Sequence, residues 1–163
     1  VAGRSPGEAA QGLFFINLAM LVAFFSWGVL MPPLRQRGFT VNGLIAFGVP
    51  LSLGLLALAI VLGSSAGAAM WALWCVSCTF VSLSQPAVAQ VFPPALAGRA
   101  LSAFNLIIFA GVFCVQWGIG LAIDALMSNG WSQPDAVRAA FALFGLCAAA
   151  AHAWFLLRRG ERG

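Results

Sequence analysis

Lysine is absent from this chain, and charge of either sign is scarce: eight arginines, four acidic residues and one histidine. Without lysine no phosphate loop of the Walker type can be built, because that loop needs an ammonium group at the phosphates. With 7% of its residues charged, the chain lacks the roughly one quarter that covers a soluble domain. Its length would suit one soluble domain, so composition decides the class. The arginines give a net charge of +4 and a pI near 9.5. They lie between apolar runs instead of clustering on a soluble face, which argues against nucleic acid as a partner.

Catalytic and metal-ligating groups are equally sparse. Cys75, Cys78, Cys114 and Cys147 all fall inside apolar stretches, unlike the cysteines of short, loop-rich disulfide scaffolds. They read as small, soft packing residues. Cys75-Val-Ser-Cys78 is a single C-x-x-C with no second pair, and the sole histidine, His152, lies in another run. No metal site is expected from that set. Gly118-Ile-Gly120 lacks the further glycine, the strand and the acidic residue of a dinucleotide site, and no carboxylate pair or nucleophile triad is present. The chain is therefore expected not to be an enzyme, with no catalytic residue and no cofactor.

What is present is hydrophobic sequence, 62% of the chain at a mean hydropathy of +0.98. It is arranged as five apolar runs at 12–31, 41–62, 68–92, 100–127 and 136–157, with Asp124 their one acidic residue before the last. Each run is long enough to cross a hydrocarbon core of about 30 Å at about 1.5 Å per residue. A barrel would need alternating polarity in short strands, so helices are expected. The expected fold is an all-α integral membrane protein of five transmembrane helices. A short polar tail (1–11) precedes the helical domain (12–157), and a basic cytoplasmic tail (158–163) follows it. The lipid bilayer is its first partner, and the connections are short enough to make successive helices antiparallel.

Local signals mark several boundaries. Pro32-Pro33 ends the first run and Pro93-Pro94 stops the third, since proline has no N–H and disfavours helix in the residue before it. Ser132 with Asp135 three residues on resembles a capping box opening the fifth helix, with Pro134 in its first turn. Pro50 and Pro86, inside the second and third runs, each remove a backbone hydrogen bond and predict kinks.

Arginine placement predicts orientation. Arg35, Arg37, Arg99, Arg158, Arg159 and Arg162 fall on one side, Arg4 and Arg138 on the other. The richer side is expected to be cytoplasmic, leaving the N-terminus outside and the C-terminus inside. Arg99 at a helix start opposes the dipole, a placement that attraction to anionic lipid would offset. Asp124 and Arg138 flank one outer loop and are expected to be able to pair across it. The chain begins at Val1, not methionine, so a fragment or a processed product is expected, and an outside N-terminus without a signal peptide would be explained by an upstream helix.

Polar side chains within the runs are the candidate functional residues, because each needs a partner or a wet cavity in hydrocarbon. Asn105 and Gln116 are eleven residues apart, within about 20° on one helical face, with Ser102 near the same stripe. Trp74, Cys78, Val81 and Gln85 form a stripe in the third run by the same arithmetic. Asn17 and Ser26 lie roughly opposite one another on the first. Gln85, Asn105 and Gln116 either line a polar path or hydrogen-bond between neighbouring helices. Ala110, Cys114 and Gly118 offer small-xxx-small spacing for close helix contact.

Phe92-Pro-Pro-Ala-Leu-Ala-Gly-Arg-Ala-Leu-Ser-Ala-Phe-Asn105, followed by Gly111 and Gln116-Trp-Gly-Ile-Gly120, resembles the tenth-to-eleventh helix region of major facilitator superfamily transporters. Ser84-Gln85-Pro86 is similar to the tenth helix of bacterial members, including nitrate/nitrite-transporter-like ones. The resemblance implies that the five helices correspond to the family's eighth to twelfth, a partial half of that fold. It implies a bacterial inner-membrane location and a small-molecule solute. It also implies a missing N-terminal half as partner, since two halves rock around a central site. Asn17, Gln85, Asn105 and Gln116 then become substrate-cavity candidates. Pro33-Leu-Arg35-Gln-Arg37-Gly38 departs from the family's loop motif by lacking its Asp. The expected function is part of a secondary transporter, inactive alone; the alternative is a small membrane subunit or scaffold without transport activity.

Overall fold

A computed structural model describes residues 6–160, and the described residues form helices joined by short turns, with no strand. In order they form α1 (Pro6–Gln36), α2 (Val41–Leu62), a 3-10 turn (Gly63–Ser65), α3 (Ala68–Cys78), a second 3-10 segment (Thr79–Leu83), α4 (Ser84–Val91), α5 (Pro94–Ser128) and α6 (Gln133–Gly160). Five stretches are long and apolar enough to cross a membrane: Ala10–Gln36, Val41–Leu62, Ala68–Val91, Pro94–Ser128 and Gln133–Arg158. The chain is thus a multi-pass, all-helical membrane protein. Arg4 and Arg162 of the orientation argument lie outside the described residues.

Helix ends follow from local chemistry. Thr40 caps α2 by accepting the Gly43 N–H at 3.0 Å. At the end of α1 the Gly38 N–H bonds to the Arg35 carbonyl and that of Phe39 to the Leu34 carbonyl. At the end of α5, Gly130 and Trp131 bond in the same way to Met127 and Leu126. These are paired Schellman closures, and Gly38 and Gly130 take the left-handed backbone that they require (φ 87° and 86°). Ser132 opens α6: its carbonyl accepts from Ala136 at 2.9 Å. Its hydroxyl accepts the Asp135 N–H at 3.4 Å and donates to the Asp135 carboxylate at 2.6 Å. Arg138 pairs with Asp135 at 3.6 Å, one turn along the same helix.

Several boundaries differ from those expected: α1 already begins at Pro6, within the expected polar tail, and α6 spans Gln133–Gly160, a turn longer at each end than expected. Pro32 and Pro33 do not end α1, which runs on to Gln36. Proline's fixed φ suits a helix, and Arg37 N–H still bonds back to the Pro33 and Leu34 carbonyls. α5 begins at Pro94, not near residue 100, because proline at the first helical position loses only a donor that had no partner anyway. Arg99 therefore sits in the second turn of α5, where the dipole's opposition has largely decayed. The third span is not one α-helix: five residues, Thr79–Leu83, are wound as 3-10. Pro86 supplies the cause, since it offers no N–H to the Ser82 carbonyl four residues back and its ring crowds it. At 3.0 residues per turn those five residues advance the phase by about 100° more than an α-helix would.

The chain forms two compact units, one comprising Val1–Leu83 with Ala149–Gly163, the other Ser84–Ala148. In the first, α1 and α2 both pack on α3 and on the 3-10 segment behind it. Leu56, Ala59 and Leu83 are buried, and the Phe80 ring lies 4.8 Å from Trp27 and 6.4 Å from Phe47 between ring centroids. Gly48 faces that ring so closely that a Cβ there would overlap Cβ and Cγ of Phe80. In the second unit, α4 packs on α5. No residue of α5 is buried.

Candidate solute-facing site

The candidate residues fall in both units. In the second, α4 and α5 bring Gln85 and Asn105 together: Gln85 Nε2 donates to Asn105 Oδ1 at 3.3 Å. Both side chains are otherwise exposed, as is Gln116 further along α5. Asn105 and Gln116 are about 16 Å apart along the α5 axis, on one face. Asn105 stands about 9 Å of helix from Arg99, and Gln116 about 12 Å from Asp124, so both amides fall within the apolar part of the span. Ser102, on the same side, donates to the Gly98 carbonyl at 3.0 Å and is satisfied within its own helix.

Magnitudes show what the pair leaves undone. An unpartnered amide in an apolar medium costs roughly 2–7 kcal/mol. One interhelical hydrogen bond in a membrane contributes about 0.6 kcal/mol, rarely more than ~1.7. A carboxamide offers two donors and two acceptor positions, so the Gln85–Asn105 bond satisfies a minority of the capacity present. A solute, water or another helix is needed to complete it.

In the first unit Asn17 donates to the Leu13 carbonyl at 2.8 Å and Ser26 to the Val22 carbonyl at 2.7 Å. Both are back-bonded to their own helix, which lowers the cost of placing them in hydrocarbon. The polar contact that joins helices there was not singled out by the sequence: Trp27 Nε1 donates to Thr79 Oγ1 at 2.9 Å. The Thr79 hydroxyl in turn donates to the Val76 carbonyl at 2.7 Å. Ser77 and Ser82 make the same three-residue back-bonds, to Trp74 and Thr79 at 2.6 Å each. A run of such hydroxyls just before a proline (Ser77, Thr79, Ser82, Pro86) is the sequence signal that marks the interrupted span. Beside it lies an apolar cavity of about 320 Å³, bounded by Trp27, Leu51, Leu55, Leu73 and Phe80 among others.

The remaining reactive groups stand apart. The four cysteines are free thiols. No group of three or more His, Cys, Asp or Glu side chains able to hold a metal occurs among the described residues. His152 is buried and stacked on Phe155 at 5.9 Å, its Nε2 without a hydrogen-bond partner among the described residues. Arg158 lies over the Trp154 ring, 4.7 Å from its centroid.

No family model, curated protein or solved structure matches this chain.

Proposed function

We propose that this chain is the C-terminal part of a secondary transporter of the major facilitator type. It carries a small solute across a bacterial inner membrane by alternating access, and does not transport alone. The observation that carries this reading is α5. It holds two exposed amides deep within a membrane span, one of them bonded to Gln85 of α4, yet none of its residues is buried. A helix of this kind is complete only when other helices and a wet cavity adjoin it. The interrupted third span adds support: a span broken by 3-10 winding and proline is a recurrent feature where transporters line a cavity. On this reading Gln85, Asn105 and Gln116 face the solute path, with Asn17 the candidate from α1. The C-terminus lies on the cytoplasmic side, as the arginine distribution argues.

The Gln85–Asn105 bond also favours a second reading, in which it is interhelical glue in a small stand-alone subunit or scaffold. Two measurements separate them. The transporter reading expects six or seven further membrane spans encoded directly upstream in the same frame. It also expects that Gln85→Ala and Asn105→Ala in the full-length protein reduce solute uptake at unchanged membrane abundance. Normal uptake in both variants would return these residues to a packing role.

A further inference from the structure

We propose that Cys75 and Cys78 form a two-thiolate site for a soft divalent metal ion that two ligands satisfy, an ion of the class of Hg2+. The site is separate from the Gln85–Asn105 pair and does not depend on the transporter reading. It departs from what the C-x-x-C spacing alone suggests, because the structure adds a wall from α2. α2 packs on α3, and Cys78 lies within hydrogen-bonding reach of the Ser52 hydroxyl on α2 and of Ser77 beside it. Both thiols are free and part-buried. Residues three apart on an α-helix share a face, with about 5–6 Å between their Cβ atoms. A disulfide needs about 3.5–4.5 Å there, so the helix holds these sulfurs too wide to bond to each other without distortion. A metal–thiolate bond is about 2.3 Å long, so two in line span about 4.6 Å between sulfurs. That gap is one the two side chains bridge from where the helix sets them.

Ligand number and charge choose the ion. No group of three or more His, Cys, Asp or Glu side chains adjoins the pair among the described residues, so an ion that demands four ligands, as Zn2+ does, is poorly held. Soft thiolates favour soft ions. Cys75 and Cys78 lie about 10 and 15 Å along the third span from its start at Ala68. No charged residue occurs in α2, α3 or the 3-10 segment that follows. Binding releases both thiol protons: one divalent ion and two S–H groups give one bis-thiolate and two H+. That product carries no net charge, whereas a monovalent ion would leave an uncompensated negative charge in hydrocarbon. Once Cys78 has lost its proton, the Ser52 and Ser77 hydroxyls can turn to donate to its sulfur. Hydrogen bonds of this kind orient a ligand and strengthen its hold on the metal.

The test loads the full-length protein in detergent micelles with mercuric chloride, then adds excess glutathione to strip ions held by a single thiol. Retained mercury is measured by elemental mass spectrometry, and the shielded cysteines by maleimide labelling and peptide mass. The expected result is one retained ion that shields Cys75 and Cys78 together, with two protons released per ion in a weakly buffered titration. Zinc chloride in its place should shield neither. Cys75→Ser and Cys78→Ser should each lower the mercury retained by the pair at least about tenfold, because the second thiolate acts at high effective concentration. Cys114→Ser and Cys147→Ser should leave it unchanged. Cys75→Ala repeats the test if the serine variant does not elute as the parent does. Shielding of one thiol without the other, retention unchanged in the folded variants, or shielding of both thiols by zinc overturns the proposal. So does a Cys75–Cys78 disulfide formed on mild oxidation with diamide, since the sulfurs would then lie close enough to bond to each other.

Discussion

Replacing Gly48 with alanine tests the packing of the first unit at its tightest point. The added methyl would occupy space held by Cγ of Phe80 and by its Cβ, which no rotamer change can move away. The ring itself is held between Trp27 and Phe47, so relief requires α2 to shift from the 3-10 segment. Overpacking of this kind costs about 1–3 kcal/mol. Without a hydrophobic driving force between helices in lipid, little is available to offset it. Unfolding in mixed micelles of increasing SDS content, followed by tryptophan fluorescence, should therefore show Gly48→Ala destabilised by about 2 kcal/mol, a shift of roughly thirtyfold in the folded-to-unfolded ratio. Phe80→Ala loses the ring contacts on its own account and keeps its Cβ against the added methyl, so adding Gly48→Ala to it should cost less than in the parent but not nothing. The pair then couples by a part of the effect of the glycine substitution. A Gly48→Ala protein within about 0.5 kcal/mol of the parent, or strictly additive effects in the double variant, would refute the contact and the close approach of α2 inferred from it.

Thr79→Val should cost about 1 kcal/mol in the same assay by leaving Trp27 Nε1 without its acceptor, and Trp27→Phe in the Thr79→Val background should add less than it does alone. Ser132→Ala should remove about 1 kcal/mol through the lost cap of α6, seen as faster amide exchange confined to the first turn of that helix. Single cysteines introduced at Arg37 and Asn129 in a cysteine-free background should label from opposite faces of the membrane; labelling of both from one face would overturn the proposed topology. Uptake by the full-length protein should fall with Gln85→Ala and Asn105→Ala, while Ser26→Ala, which removes only a hydroxyl bonded to its own helix, leaves it unchanged.

The spans were legible because long uncharged runs have few physical alternatives, and Ser132 with Asp135 was legible because a cap is a short-range signal. Prolines were harder. Pro32, Pro33, Pro93 and Pro94 look alike in sequence, yet two lie within the last turns of α1, one is the N-cap of α5 and one begins it. Which role a proline takes depends on whether its missing N–H would have had a partner, and that depends on where the helix starts. The effect of Pro86 reaches back over Thr79–Leu83, and a five-residue change of winding cannot be read from a 3.6-residue period. At the candidate site the residue types were visible, since amides in greasy sequence stand out. The arithmetic that placed Gln85 on a stripe with Trp74 assumed an unbroken helix, and its contact with Asn105 is a tertiary fact. The fit of Phe80 against Gly48 left no trace in composition or spacing, because glycine is common throughout this sequence.

Between Arg99 and Asp124, α5 carries 24 consecutive uncharged residues, about 36 Å of helix against a hydrocarbon thickness of about 30 Å. Standing upright, it would push greasy turns into the headgroup layer. Leaning by about 30–35°, or recruiting a thicker patch of bilayer, removes that hydrophobic mismatch. The protein's energy therefore depends on acyl-chain length, and reconstitution into lipids of graded chain length should show a stability optimum.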